Sequence, residues 1–424
     1  MLRSARGFVA ASRLPLPAAG DWRAASVSAL LMLPQAVTFA VLAGLPPEMG
    51  LYAAALPVIV AALLSPSPTQ ISGPNTAVAV MLGCALAPLA TPGSHDYIVM
   101  AAALTAAVAL VQLLLALAGA GGLLARCPPA SIAGLNLGIG GLMLAGQVAP
   151  LLGLTAVHDL PLLSAAWVQL QRAAECNPSA LGLASLSLCC GLAWARRGRR
   201  GVWAPVVALL AGALATALLD AGWGPAATQL ERLGAVRLQW PAWQMPELAG
   251  LAPYALKQLA VHAVEIAVVA SLQSAILLHS ALATVAARDC RRELMAQASS
   301  NLVAAAGGGF AGSASFNRTA VHQAAGALTP AAAVLSTLLL VGGALLAAPA
   351  LARLPHAVIA GTLALVAVQM MAAGWAAALR QPGRRRLMAL GVAALALVAG
   401  IVPALLLVLL TLVVEALASR SPGP

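Results

Sequence analysis

The chain is 424 residues long, 61% apolar and only 8% charged, with a mean hydropathy of +0.93. Water-soluble domains keep about a quarter of their residues charged, so a soluble enzyme or binding module is excluded and a lipid bilayer is the solvent implied. The net charge of +11 does not mark a nucleic-acid binder, because the basic residues form short clusters between apolar runs: Arg196, Arg197, Arg199 and Arg200; Arg288, Arg291 and Arg292; Arg384 to Arg386. That is the positive-inside pattern of cytoplasmic loops.

Residues 1–25 carry Arg3, Arg6 and Arg13 but no apolar core followed by a small-residue cleavage site. They read as a cytoplasmic tail, not a signal peptide. Apolar runs then mark fourteen candidate segments: 26–44, 51–64, 74–90, 97–118, 131–149, 179–195, 203–219, 254–285, 293–308, 316–326, 330–348, 355–373, 386–399 and 401–417. A full span needs about 20 apolar residues, so several of these are short. With the N-terminus inside, seventeen of the 23 Lys and Arg residues fall in the tails and cytoplasmic loops, four fall outside and two lie within segments. That asymmetry predicts a multi-pass protein of a bacterial inner membrane, both termini cytoplasmic. The six cysteines show no metal-ligand spacing and read as small packing residues.

Segments 3 and 10 are irregular. The third follows Ser65-Pro66-Ser67-Pro68 and opens at Gly73-Pro74; the tenth follows Gly307 to Gly309 and Gly312. Interrupted, glycine-rich segments at corresponding places in two halves point to a transporter binding site. The halves do correspond: Ser72 to Val78 aligns with Ser315 to Val321, sharing Ser and Thr-Ala-Val, and Gln35 and Gln273 precede those motifs by 41 and 46 residues. Seven segments per half make the repeat an inverted one.

The blocks around these segments resemble those of the sulfate permease (SulP) family. Leu33-Pro34-Gln35-Ala36 through Leu45-Pro46-Pro47 to Gly50-Leu51-Tyr52 is similar to its first block, and Ile71-Ser72-Gly73-Pro74 to the start of its third helix. Glu293 to Gln297, Gly308-Gly309-Phe310, Ser315 to Val321 and Ala325 to Pro330 are similar to a later one. The resemblance implies an all-α polytopic membrane protein of fourteen spans in a seven-plus-seven inverted repeat. A core domain (26–118 and 254–348) would move against a gate domain (131–219 and 355–417), carrying a small anion bound where the half-helices of segments 3 and 10 meet. Unsatisfied N–H groups and the positive dipole end of a helix N-terminus favour an anion there. Gln35, Phe39, Asn75, Thr76, Ser315 and Thr319 match positions lining that site, with Gln273 beside them. The expected assembly is a homodimer in the bilayer. Two departures stand out. The chain stops after a short tail (418–424) where family members carry a cytoplasmic STAS domain, and Gln273 stands where many bacterial members have an acid.

Arg318 is the most telling single residue, because a guanidinium at membrane depth costs about 2.5–3.5 kcal/mol on insertion scales and implies a partner or a function. At the third position of a half-helix it would aim at the anion; the alternative is a structural Arg held by backbone carbonyls or by Glu265. Glu265 is the only carboxylate read well inside a segment, and with His262, Val269 and Gln273 it forms one stripe of segment 8. It would substitute for the missing acid in proton coupling, or simply pair with His262 near the outer end. Either a proton or sodium is the expected co-transported ion, and no cofactor is expected.

The functional expectation is therefore a secondary carrier of sulfate, bicarbonate or a carboxylate. A nucleobase permease of the same fold would want acids where Gln273 and Arg318 stand, and an anion channel or voltage-driven motor is the alternative of another class. An enzyme is not expected, since no Ser/His/Asp or metal constellation lies at membrane depth, and no Gly-Lys-Ser/Thr phosphate loop is present for ATP drive. The charge asymmetry generates a topological prediction: a fluorescent protein fused after Pro424 will fluoresce and an alkaline phosphatase fused there will be inactive. Phosphatase activity at that junction would reverse the orientation.

Overall fold

The computed structural model describes residues 16–124, 128–155, 157, 160, 162–198, 203–234, 252–281 and 286–418. Arg126, Cys127, Arg199, Arg200 and Arg237, most of the predicted N-terminal tail and nearly all of the C-terminal one lie outside the described residues. The first half of the chain forms α1 (Ala19–Leu42), α2 (Pro47–Ala53), α3 (Leu56–Leu64), β1 (Ser72–Gly73), α4 (Thr76–Leu86) and α5 (His95–Leu117). It continues with α6 (Pro129–Gly146), α7 (Pro178–Ala195) and α8 (Ala204–Trp223). The second half forms α9 (Pro253–Ala281), α10 (Ala287–Ala306), β2 (Ser313–Ala314), α11 (Phe316–Ala324) and α12 (Pro330–Ala352). It ends with α13 (His356–Leu379), α14 (Gly383–Ala399) and α15 (Ile401–Ala418).

Backbone groups in hydrocarbon have no water to bond, so each crossing segment must satisfy itself as a helix. The sequence supplies the starts. Proline stands at the first or second position of α2, α3, α6, α7, α8 and α12, where its missing N–H costs nothing. Ser94 and Asn177 cap α5 and α7, accepting from the Tyr97 and Ser179 amides at 3.2 and 2.9 Å. Among the described residues nine helical stretches are long and apolar enough to cross a membrane, and the fold is an all-α polytopic one. Each of the fourteen predicted segments has its helix, the second broken into α2 and α3 at Ala55, whose ψ of −107° is not helical.

Two boundaries differ from the sequence expectation, since α1 and α10 begin several residues before the apolar runs do. Hydropathy stops at a charge, but in α1 the acid of the first turn is buried against protein. Asp21 in α1 is fully buried; its carboxylate accepts from the Leu328 and Thr329 amides at 2.8 and 3.1 Å and from the Thr329 hydroxyl at 2.9 Å.

Packing neighbours fall into two sets. α10 lies against α3, α5 and α9, and α12 against α1 and α3, while α4 rests on α1 and α9. In the other set α6 packs on α13 and α14, α7 on α8 and α13, and α14 on α15. The sets touch where α8 and α13 meet α1, α4 meets α6, and α9 meets α15. Leucines 210, 214 and 218 of α8 and 338, 345 and 346 of α12 are exposed, as a lipid-facing surface requires.

The second set is joined by close backbone approach. A Cβ on Gly361 would meet the Ala184 Cα at 3.0 Å and crowd its carbonyl, and one on Gly134 would crowd the carbonyl of Ala389. Small residues at crossings are how membrane helices gain van der Waals contact without a hydrophobic driving force. Gly361→Val will therefore push α7 from α13 and destabilise the protein by about 1–3 kcal/mol, read as a lower melting temperature in detergent. An unchanged melting temperature would show that the crossing yields without cost.

Candidate functional site

Between α3 and α4, and again between α10 and α11, the chain runs as extended backbone inside the helical fold. The two stretches pair antiparallel, Ser72 opposite Ala314 and Gly73 opposite Ser313. Buried backbone that is not helical needs partners supplied from elsewhere, and here side chains provide them. The Ile71 amide donates to Thr319 Oγ1 at 3.0 Å, the Gly312 amide to Asn301 Oδ1 at 2.8 Å, the Ala311 amide to Thr105 Oγ1 at 3.1 Å and the Ala314 amide to Ser274 Oγ at 3.3 Å. The Ser315 amide closes the pair on the Ile71 carbonyl at 3.0 Å. Two glycines make the approach possible. A Cβ on Gly312 would collide with the backbone of Gly73, and Gly73 itself has a φ of +134°.

Each strand runs directly into a short helix. Asn75 caps α4, its Oδ1 accepting from the Val78 amide at 3.0 Å, and Ser315 caps α11, its hydroxyl accepting from the Arg318 amide at 3.4 Å. α4 has 11 residues and α11 has 9, about half of what a span requires. Antiparallel strands that each feed a helix set the two helix N-termini against each other, diverging in opposite directions.

Of the residues singled out in the sequence, Asn75 and Gln273 are in contact, Nδ2 of the first donating to Oε1 of the second at 3.1 Å. Ser313 completes a triangle, donating to the same Gln273 oxygen at 2.7 Å and accepting from Asn75 Nδ2. Gln273, Ser315 and Thr76 are half-buried, as is Gln35 on α1. Phe39 is buried in the apolar cluster that holds Ala77, Val78 and Phe310.

Arg318 is the third residue of α11 and is 3% exposed; its Nη2 donates to the Pro74 carbonyl at 2.6 Å, and its Nε is buried with no partner among the described residues. The guanidinium thus reaches from one half-helix to the residue preceding the cap of the other. Of the two structural partners considered for it, the backbone carbonyl is the one present. Glu265 instead lies 3.2 Å from His262 Nδ1, with its Oε1 buried and unpaired among the described residues.

Two sequence readings need correcting. Matching Thr-Ala-Val between halves sets Thr76 against Thr319, but Thr76 is the first residue of α4 and Thr319 the fourth of α11. The caps Asn75 and Ser315 are the equivalent positions. Identity in an Ala- and Val-rich chain does not register cap geometry, so the alignment slips by about one helical turn. Nor is Glu265 the only carboxylate inside a helix, because Glu293 in α10 and Asp21 in α1 are both fully buried. Ser313 joins the site without any sequence signal that singles it out. It stands two residues before its cap as Ser72 stands three before Asn75, a likeness visible only once the caps are known.

Comparison with known proteins fits this geometry. The profile of the Sulfate permease family matches residues 19–382. The chain belongs to the sulfate permease family. The bicarbonate transporter BicA of Picosynechococcus sp. is 25% identical over 367 residues, covering 83% of this chain and 62% of BicA. A probable sulfate transporter of Mycobacterium tuberculosis is 36% identical over 134 residues, 32% of this chain and 24% of that protein. The chain thus aligns to less than two thirds of the length of these relatives. The solved transmembrane domain of a cyanobacterium BicA superposes with a TM-score of 0.78 at 22% identity, covering 91% of this chain and 97% of that one. The murine solute carrier 26 family member A9 anion transporter in its inward-facing state gives 0.81 at 16% identity, covering 97% and 70%. These likenesses show the fold. These curated relatives and solved structures are described as transporters.

The tie between Thr319 and the Ile71 amide generates a test of the strand pair. Thr319→Val leaves a buried amide without its acceptor, at a cost of about 1–3 kcal/mol, and Thr319→Ser restores it. The melting temperature will fall in the first variant and recover in the second; equal falls would mean that the methyl and not the hydroxyl matters.

Proposed function

We propose that this sulfate permease family member is a secondary carrier of a small oxyanion (sulfate, bicarbonate or a carboxylate) bound between the N-termini of α4 and α11. The observation that carries this reading is the strand pair that holds two capped helix starts face to face with Arg318 between them. Each helix start is equivalent to about half a positive charge. Gln35, Phe39, Thr76, Ser315 and Thr319 form the rest of the lining, uncharged groups that set the size of the ion and how much of its hydration is replaced. Gln273 spends its oxygen on Asn75 and Ser313, which turns its Nε2, a donor, into the group available to an anion. An acid at that position would repel the same ion.

The set comprising α1 to α5 and α9 to α12 acts as the core and the remaining helices as the gate, and the core moves relative to the gate with the anion. Glycine-lined crossings within the gate and a polar network within the core make each set rigid by a different means, which supports relative motion of the two. The His262–Glu265 pair is the proposed proton-coupling group, sodium being disfavoured by the neutral Gln273. The protein is placed in a bacterial inner membrane with both termini cytoplasmic and works as a homodimer.

In proteoliposomes, uptake of labelled sulfate, bicarbonate and dicarboxylates will saturate for one of them; a linear, non-saturating current would instead indicate a channel. Arg318→Gln removes a full charge and leaves both helix dipoles. Loss of a charge-assisted hydrogen bond is worth about 1.5–3 kcal/mol, so half-saturation will rise roughly ten- to a hundredfold. Lys at 318 will recover part of it, lacking the planar donor fork suited to an oxyanion. Unchanged half-saturation in a protein of lower melting temperature would make Arg318 a brace for Pro74 and not a ligand.

A further inference from the structure

We propose that Glu293 is a proton-binding site, set on the opposite side of the strand pair from Glu265 and linked to β1 through Gln297; the inference rests on the anion-carrier reading for its purpose but not for its chemistry. Glu293 lies in the second turn of α10 and is 0% exposed. Ser65 Oγ donates to its Oε2 at 2.6 Å, and Gln70 Nε2 and Gln297 Nε2 reach its Oε1 at 2.5 and 2.7 Å. No ion pair involves it among the described residues. An unpaired carboxylate charge this deep is expensive, and a proton removes the expense.

The shell is suited to both charge states. A hydroxyl and a carboxamide each offer donor and acceptor, so Ser65 and Gln70 can turn to serve either the acid or the carboxylate, where an arginine could serve only the latter. Beside it, Gln70 Oε1 and Ser67 Oγ are both buried without a partner among the described residues. These unfilled positions line the segment between α3 and β1, on the side of the fold where α3 ends and α10 begins. They offer a route for the proton to water on that side.

The link to transport is Gln297. Its Nε2 donates both to Glu293 and to Ser72 Oγ, the latter at 2.6 Å, and Ser72 is in β1. An ionised Glu293 holds that amide strongly; a neutral one releases it toward the strand. Other titratable groups do not account for the site. α3 and the segment from 65 to 75 have none; α5 carries His95, Asp96 and Tyr97 at its first turn; α9 carries Tyr254, Lys257, His262, Glu265 and His279. On α10 itself Arg288, Asp289, Cys290, Arg291 and Arg292 precede it, Arg292 donating through Nε to the Leu64 carbonyl.

The test is an infrared titration of the purified protein in lipid, with no transported anion present. Wild type will show a buried carboxylic acid C=O band that disappears as pH rises; the band will be missing in Glu293→Gln and present in Glu265→Gln. In proteoliposomes Glu293→Gln will retain anion exchange with unchanged half-saturation and lose from its pH–rate profile the step that coincides with the infrared band. Should Glu293→Gln not fold, Gln70→Leu removes a donor to the carboxylate and will raise the titration midpoint by roughly one pH unit, a tenfold change. A band that survives Glu293→Gln, the absence of any such band in wild type, or a midpoint lowered by Gln70→Leu would overturn the proposal. Failure of the anion-carrier reading would show separately, as uptake that saturates for no anion.

Discussion

Extended backbone inside a membrane has to be hydrogen-bonded along its whole length, and much of this molecule is arranged around two such stretches. A helix answers the requirement within itself. Residues 71–75 and 311–315 cannot, and they draw partners from α5, α9, α10 and α11 through Thr105, Ser274, Asn301 and Thr319. Those four side chains are polar, buried and on different helices. Each reads as an isolated oddity along an apolar run and becomes intelligible only as the partner of one particular amide.

The same constraint explains the division of packing styles. Around the strand pair the helices are held by directional bonds, including the Asn301 bond to Gln112 at 2.8 Å that ties α10 to α5. Away from it, in the set formed by α6 to α8 and α13 to α15, small residues let backbones touch and hydrogen bonds between helices are few. Directional bonds fix register and resist sliding, whereas smooth contact surfaces of Gly and Ala present little to break when a neighbouring body shifts. A boundary between the two styles is a natural place for motion.

Charge is used sparingly at the centre. In the proposed reading, a glutamine at 273 and an arginine at the neighbouring helix start tilt the site toward negative ions without a fixed ion pair. Arg318 is held by a neutral carbonyl, so its charge is not cancelled locally. The acids within membrane depth sit away from it, Glu265 against His262 and Glu293 within a shell of hydroxyl and amide groups. Had either acid paired with Arg318, the site would be neutral and the helix dipoles alone would select the ion.

Much of this was legible in the sequence. A charge deficit that only lipid explains, apolar runs between arginine clusters and two glycine-broken segments determined an all-α polytopic fold and marked where its helices are interrupted, because hydropathy and chain breaks are local properties. Proline at helix starts and the odd arginine at 318 were likewise readable in place. What the tertiary structure alone decided was pairing. The antiparallel register of two two-residue strands, the triangle of Asn75, Gln273 and Ser313, and the burial of Asp21 and Glu293 each depend on groups more than 35 residues apart. Hydropathy assigns a buried charge to the surface because it sees the cost of desolvation and not the partners that offset it, and those partners exist only once the two halves have come together.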